Sequence, residues 1–258
     1  MASYSDRDGE PILRAERIGV VFASPQGKLE ALDDASLEVS PREFVCLVGP
    51  SGCGKSTLLR VMSGLLVPSR GHVYLRGKPL DGPSGDVGLV FQGANLMPWR
   101  TVWSNIALPL ELRGLDAAQI RERVTGLIGL VGLRGFERSY PHELSGGMAQ
   151  RVAIARALVY DPEILLLDEP FGALDALTRE RMNLELLRIW EAQRKTVIMV
   201  THNIAEAILL ADRVVVMTSR PGQVVSELPV PLLRPRSQDL IYSDVFIELS
   251  RRIRAAIG

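Results

Sequence analysis

The chain has 258 residues, 47% of them hydrophobic, enough for one large domain or a domain with an inserted lobe. Its 30 Lys and Arg cancel its 30 Asp and Glu, which excludes a global basic field for nucleic acid, so any phosphate binding must come from a local site. Cys46 and Cys53 form neither a disulfide framework nor a metal spacing and suit a reducing cytoplasm; Met1 to Pro11 lacks the apolar core of a signal peptide, and no apolar run approaches the roughly 18 residues of a membrane span.

In chain order, strand-like runs come first, at Ile18 to Phe22 and Ala35 to Val39. Phe44 to Val48 is a continuous apolar run ending in glycine, the pattern of a strand buried on both faces in a parallel sheet. A helix is predicted from Lys55 to about Met62, then short strands at His72 to Leu75 and Val87 to Phe91. From Val102 to Tyr160 the pattern is mostly helical. Ile120, Val124, Leu127, Ile128 and Val131 fall on one apolar helix face. Strands return at Ile164 to Leu167, Val197 to Val200 and Val214 to Met217, separated by helices. After Leu228 the chain turns Pro- and Arg-containing, then helical from about Gln238 to Ile257. Alternating strands and helices imply a mostly parallel sheet flanked by helices. The expected class is therefore α/β, with an N-terminal antiparallel β portion and an inserted helical lobe. The expected boundaries are a domain over 12–232, with core 12–93 and 161–232 and lobe 94–160, followed by a helical extension over 233–258.

Gly49-Pro-Ser51-Gly52-Cys53-Gly54-Lys55-Ser56 matches the phosphate-loop pattern G-x-x-x-x-G-K-[ST], between a buried strand and a helix as that pattern requires. Its glycines let the backbone approach phosphates, and successive N–H groups and the helix N-terminus supply positive potential. Lys55 would reach the β- and γ-phosphates of ATP, Ser56 would ligate Mg²⁺, and Thr57 would support the α-phosphate. Ile164 to Leu167 ends in Asp168 and Glu169, at the strand end where open α/β sheets bind ligands. Asp168 would hold Mg²⁺ and Glu169 would polarise an attacking water.

A phosphate-loop NTPase core could serve many reactions. The stretch Leu144-Ser145-Gly146-Gly147-Met148-Ala149-Gln150-Arg151 narrows the choice, because it resembles the signature sequence of ABC ATPases. Met148 stands where that signature usually has Gln, which loses a side-chain hydrogen bonder. The resemblance spans nearly the whole chain from about Ile18. It implies that two subunits pair head to tail, with Ser145, Gly146 and Gly147 of each closing on the ATP held by the other. It also implies roles for single residues. Phe22 resembles the aromatic on which adenine stacks, although a core phenylalanine would read the same way. Gln92 resembles the glutamine that contacts Mg²⁺ and the attacking water. Asp175, in Ala173-Leu174-Asp175, resembles the loop that crosses the dimer interface, and His202 resembles the histidine at the γ-phosphate. Asn203 stands where relatives commonly have Asp. His72 and His142 read as structural.

Within the family, Phe91 to Trp99, Pro141-His142-Glu143, Ala211-Asp212-Arg213 through Ser219-Arg220-Pro221-Gly222, and Leu233-Arg234-Pro235-Arg236 resemble the ATPases of nitrate, sulfonate and taurine importers. That implies an ATPase driving import through a separate membrane permease, peripheral on the cytoplasmic face of the cell membrane, served indirectly by a solute-binding protein and not by nucleic acid. An ATPase for a lipid or export permease, and a non-transport ABC ATPase, are the alternatives. Met97, Pro98, Trp99 and Trp103 are the expected docking surface for the permease; packing within the lobe is the other reading. One prediction follows from Cys53 lying in the phosphate loop: a thiol reagent inhibits ATP hydrolysis and pre-bound ATP protects. Equal inhibition with and without ATP would count against it.

Overall fold

The computed structural model describes residues 10–24 and 27–257, so most of the polar stretch before Pro11 lies outside it. The elements in order are β1 (Leu13–Ser24), β2 (Gly27–Val39), β3 (Phe44–Val48), α1 (Lys55–Met62), β4 (Arg70–Leu75), β5 (Lys78–Pro79) and β6 (Val87–Val90). Then come α2 (Val102–Leu112), α3 (Ala117–Leu130), α4 (Gly146–Leu158), β7 (Ile164–Asp168), α5 (Ala176–Gln193) and β8 (Thr196–Val200). The last are α6 (Ile204–Leu210), β9 (Arg213–Met217), β10 (Val224–Pro229) and α7 (Asp244–Ile257). Among the described residues, no helix is long and apolar enough to cross a membrane.

Contacts divide the chain into two units, one of residues up to Ser84 with those from Lys195 onward, the other Gly85–Arg194. In the first unit, β2, β1, β4 and β5 form an antiparallel sheet in that order. Beside it, β3 pairs in parallel with both β8 and β9. Every residue of these three strands is buried, which is why, apart from the first residues Thr196 and Arg213, their sequences are continuous apolar runs rather than alternating ones. β10 returns antiparallel to β9. Its alternating burial and its Ser, Glu and Pro kept it from reading as a strand in the sequence.

The second unit holds the parallel pair β6 and β7 with helices α2 to α5. β7 is wholly buried. On α3, Ile120, Val124 and Ile128 are buried, and Val131 caps its C-terminus, also buried; Leu127 is only partly covered. The predicted middle helices are therefore present, on the face the spacing indicates.

The C-terminal stretch differs in detail from a single helix starting near Gln238. Gln238–Tyr242 is a 3₁₀ turn, and Ser243 separates it from α7 by accepting a hydrogen bond from the Phe246 N–H through its Oγ. Phe246, Leu249 and Ile253 form the buried face of α7.

Two buried arginines organise this end of the first unit. Arg213 bonds Glu43 through both Nε and Nη2, and also reaches Glu227 and the Glu38 carbonyl. Burial alone would lower the Arg213 pKa, but the hydrogen bonds and charge of Glu43, then Glu227, more than offset it and leave it raised. Arg236 donates to the carbonyls of Ile208, Leu209 and Ala211 at the end of α6 and to Leu232. The first three are acceptors at the helix C-terminus, beyond the reach of intrahelical donors. Neighbouring Arg234 bonds Asp212 and the Leu210 carbonyl. The Leu233-Arg234-Pro235-Arg236 stretch is thus a cap on α6. Arg236→Ala strands several buried carbonyls and is expected to cost about 3–5 kcal/mol, read as a shift in the urea midpoint; a shift equivalent to under 1 kcal/mol would refute the capping role.

Candidate functional site

The loop after β3 leaves the carboxyl end of a strand flanked by two parallel neighbours. Lys55 opens α1 and is buried, and its Nζ donates to the carbonyls of Gly49 at 2.9 Å and Pro50 at 2.8 Å, with Cys53 Sγ at 3.6 Å. An ammonium group in so covered a place needs such acceptors. Gly54 has φ 102°, in the left-handed region, and a Cβ there would lie 2.7 Å from both the Ala31 carbonyl oxygen and Leu32 Cδ2. No other residue fits both constraints. Helices α2 to α6 are each capped by a side-chain oxygen, from Thr101, Asp116, Ser145, Asp175 and Asn203. α1 begins on Gly54 and has no side-chain cap. A glycine offers its first-turn amides no capping oxygen, and a helix start of this kind suits an anion. Ser51 and Gly52 are exposed, while Ser56 and Thr57 are partly covered.

Cys53 is buried and has no disulfide. A thiol reagent reaches it only as the loop opens, so the inhibition expected of such reagents is slower than on an exposed thiol. Cys46 is also buried, and burial pushes its thiol pKa well up, which makes it inert.

His202 lies beyond the end of β8. The Thr201 N–H donates to the Leu47 carbonyl, so the His202 turn and the phosphate loop leave the same end of the β3–β8 pair. The turn is tied down locally. Thr201 Oγ1 donates to the buried Glu206 carboxylate, the Asn203 N–H donates to Thr201 Oγ1 at 3.0 Å, and Asn203 Oδ1 accepts from the Glu206 N–H. Asn203 does the capping work that an Asp would do at that place. His202 itself is exposed. Phe22 is 38% exposed on the β1–β2 hairpin, opposite Leu29, so it is not the core residue that the sequence left open as the other reading.

The second unit gathers the remaining candidates. Asp168 is the buried last residue of β7. Glu169 follows with φ 43°, a left-handed conformation of the kind that non-glycine residues hold at functional sites at a cost of about 1–3 kcal/mol. Its Oε2 lies 3.4 Å from where a Cβ on Gly172 would be, and Gln92 Nε2 lies 3.5 Å from the same point. The carboxylate and the amide thus face a common space kept clear by Gly172. Ser145 caps α4 by accepting from the Met148 N–H at 3.3 Å. Gly146 packs against Leu174, and Gly147 against Thr178, so the Ser-Gly-Gly turn sits on the loop that leads to Asp175. Asp175 caps α5, and hydrogen bonds from the Thr178 side chain and N–H hold its carboxyl below its usual pKa.

Sequence reasoning missed the residues that shape the segment after Gln92. Asn105, fully buried in α2, accepts from the Met97 N–H at 2.8 Å and donates to the carbonyls of Met97, Arg100 and Thr101. Arg156 donates to the Ala94 and Asn95 carbonyls at 2.9 Å; desolvation lowers its pKa. The signal for Asn105 was available: a carboxamide inside the apolar stretch Val102–Leu112 must find partners. The loop held this way presents Trp99, 72% exposed, with Pro98 exposed and Met97 and Trp103 partly covered. His142 is stacked on Tyr140 in a 3₁₀ turn, and His72 is on β4 near Tyr74.

The sequence profile of the ABC transporter family matches residues 32–172. The chain belongs to the ABC transporter family. It is similar to the nitrate import ATP-binding protein NrtD of Synechococcus elongatus, at 47% identity over 90% of this chain and 86% of that one. It is also similar to the taurine import ATP-binding protein TauB of Rhizobium johnstonii, at 43% identity over 95% and 96% of the two chains. Among solved structures it resembles a dimeric, post-hydrolysis state of the ATP-binding cassette MJ0796 bound to ADP and Pi, with TM-score 0.75 and 32% identity over 86% of this chain and 100% of that one. This ABC protein is therefore an ATPase with the P-loop α/β fold expected from its sequence.

Asn105→Ala in this ABC ATPase removes every one of those bonds to the Met97–Thr101 loop. A loss of about 2–4 kcal/mol is expected, with faster amide exchange at Met97. Unchanged exchange there would show that the loop holds its shape without Asn105.

Proposed function

We propose that this chain hydrolyses ATP to drive solute import through a separate permease, two copies working together, with a solute of the nitrate, sulfonate or taurine class. The observation that carries the reading is the loop Gly49–Lys55: a buried lysine, an α-helix that starts on a glycine in place of a capping side chain, and glycine where no Cβ fits. The solute class rests on the names of the relatives, NrtD and TauB.

In this reading the N–H groups of Gly49 and of Ser51 to Thr57, with Ser51, Gly52, Cys53 and Gly54 at the centre, take the phosphates of ATP, and Lys55 exchanges the Gly49 and Pro50 carbonyls for β- and γ-phosphate oxygens. Phe22 stacks on adenine, which suits its exposure. Ser56, Asp168 and Gln92 hold Mg²⁺; one carboxylate with two neutral oxygens suits an ion that keeps waters and substrate phosphates among its ligands. Mg²⁺, when bound, neutralises charge on the phosphate oxygens. Glu169 orients a water and takes its proton as oxygen attacks the γ-phosphorus and the bond to the β-phosphate oxygen breaks. Gln92 steadies that water, supported by its amide and the Glu169 carboxylate facing one space. His202 donates to the γ-phosphate. Ser145, Gly146 and Gly147 of a second copy contact that nucleotide, and Asp175 crosses between copies.

The helical lobe, residues 94–160, passes the motion on. Met97, Pro98, Trp99 and Trp103 dock the permease, supported by the exposure of Trp99 on a loop pinned by Asn105. The subunit works peripherally on the cytoplasmic face of the membrane, with a solute-binding protein reaching the permease from the other side.

Glu169→Gln is expected to lower hydrolysis by about 10²–10⁴-fold while ATP still binds. With ATP and Mg²⁺ it populates a dimer in light scattering that ADP does not support; a monomer with both nucleotides would sink the two-copy mechanism. A deletion strain grown on nitrate, taurine, other alkanesulfonates or sulfate as sole source reads the solute class. A defect confined to nitrate or to sulfonates, restored by the intact gene and not by Glu169→Gln, is the expected result. Normal growth on all of them removes this solute class.

A further inference from the structure

The turn Thr218–Gln223 joins β9 to β10 and lies against the phosphate loop within the same unit. Arg220 donates to the Gly52 carbonyl through Nε at 3.2 Å and Nη2 at 2.9 Å. Behind it the turn is anchored on β2. The Gly222 N–H donates to the Ala31 carbonyl, the Asp33 N–H donates to the Gly222 carbonyl, and Gln223 Nε2 donates to Asp33 Oδ2 at 3.0 Å. The turn is closed on itself by Thr218, whose Oγ1 donates to the Pro221 carbonyl and accepts from the Gln223 N–H. Gly222 touches the loop so closely that a Cβ there would stand 2.0 Å from the Cys53 carbonyl oxygen. The same β2 segment, Ala31 and Leu32, closes over Gly54.

A peptide unit is planar and trans, so its carbonyl and its N–H point in opposite directions. The Gly52 carbonyl shares its peptide with the Cys53 N–H. Fixing that carbonyl from outside the loop fixes the direction in which the Cys53 amide points. A guanidinium on the carbonyl also polarises the peptide and strengthens its N–H as a donor. In this structure that N–H makes only a long turn contact of 3.3 Å to the Pro50 carbonyl. The Cys53 amide lies at the centre of the phosphate-binding loop.

We propose that Arg220 is a positioning residue for ATP binding: it orients the Gly52–Cys53 peptide so that the Cys53 N–H is presented to phosphate. The inference rests on the phosphate-loop reading of Gly49–Lys55. Its effect belongs to affinity for the triphosphate and not to the stability of the unligated fold, because Arg220 is exposed and its guanidinium bonds the Gly52 carbonyl of the loop.

The test uses the full chain, purified as wild type, Arg220→Ala, Arg220→Gln and Arg220→Lys, with equilibrium binding of MgATP and adenosine and the thermal midpoint without nucleotide. Wild-type failure to bind MgATP would reject the phosphate-loop reading itself. Given wild-type binding, Arg220→Ala is expected to weaken MgATP roughly ten-fold, leaving the unligated midpoint unchanged. Arg220→Gln, which can still donate to the Gly52 carbonyl without charge, recovers part of the affinity. An Arg220→Ala dissociation constant within twofold of wild type overturns the proposal. So does rescue by Arg220→Lys with none by Arg220→Gln, which would make the residue a bare charge acting on the nucleotide. A loss of affinity that tracks a fall in the unligated midpoint, or an equal loss for adenosine, also overturns it.

Discussion

A phosphate loop works only if several amides of one short backbone segment point inward together, and nothing within such a segment enforces that. Here the constraint comes from outside it. β2 closes on Gly54 through Ala31 and Leu32, and the turn after β9 closes on Gly52 and Cys53 through Arg220 and Gly222. The Gly52 carbonyl, held from outside, leaves the opposite side of its peptide, the Cys53 N–H, facing the loop. The loop's conformation thus depends on β2 and on the β9–β10 turn of the sheet that carries β3, and not on the eight-residue motif alone.

That sheet is held by burial first. β3, β8 and β9 expose almost nothing, and parallel strands covered on both faces gain their stability from apolar contact with layers above and below. Polar groups enter this region only with partners. Asp212 accepts the Phe44 N–H and the Arg234 guanidinium, and Glu43 pairs with Arg213. The same logic runs to the His202 turn. α6 is pinned at its start by Asn203 and the Thr201–Glu206 bond, and at its end by Arg236. A seven-residue helix fastened at both ends gives the exposed histidine a fixed base.

The second unit uses helix caps where the first uses strand ends. Ser145 and Asp175 are both N-caps, and the turn begun by one packs beside the loop that leads to the other. A capping side chain is ordered by the helix it starts, so Ser145 and Asp175 are held in place before any partner arrives. Glu169 is held differently, in a left-handed backbone conformation next to Gly172. The strain there is supported by the wholly buried strand before it.

Much of this was written in the sequence, because some chemistry is local. Phe44–Val48 reads as a doubly buried strand since five apolar residues in a row have no other use, and it proved buried throughout. G-x-x-x-x-G-K-S names its own ligand because the backbone dihedrals and the lysine sit within eight residues of one another. Ile164 to Glu169 and the Ser145 turn were legible for the same reason. What the sequence could not supply are the groups that act across long separations. Arg220 meets Gly52 from 168 residues away, Arg213 meets Glu43 from 170 and Arg156 meets Ala94 from 62. No spacing rule links such pairs. The exposure of Phe22, the burial of Cys53 and the strand identity of Val224–Pro229 were also settled only by packing. Residue type and short-range period state what a segment can do. Which carbonyl an arginine meets depends on where the folded sheet brings it.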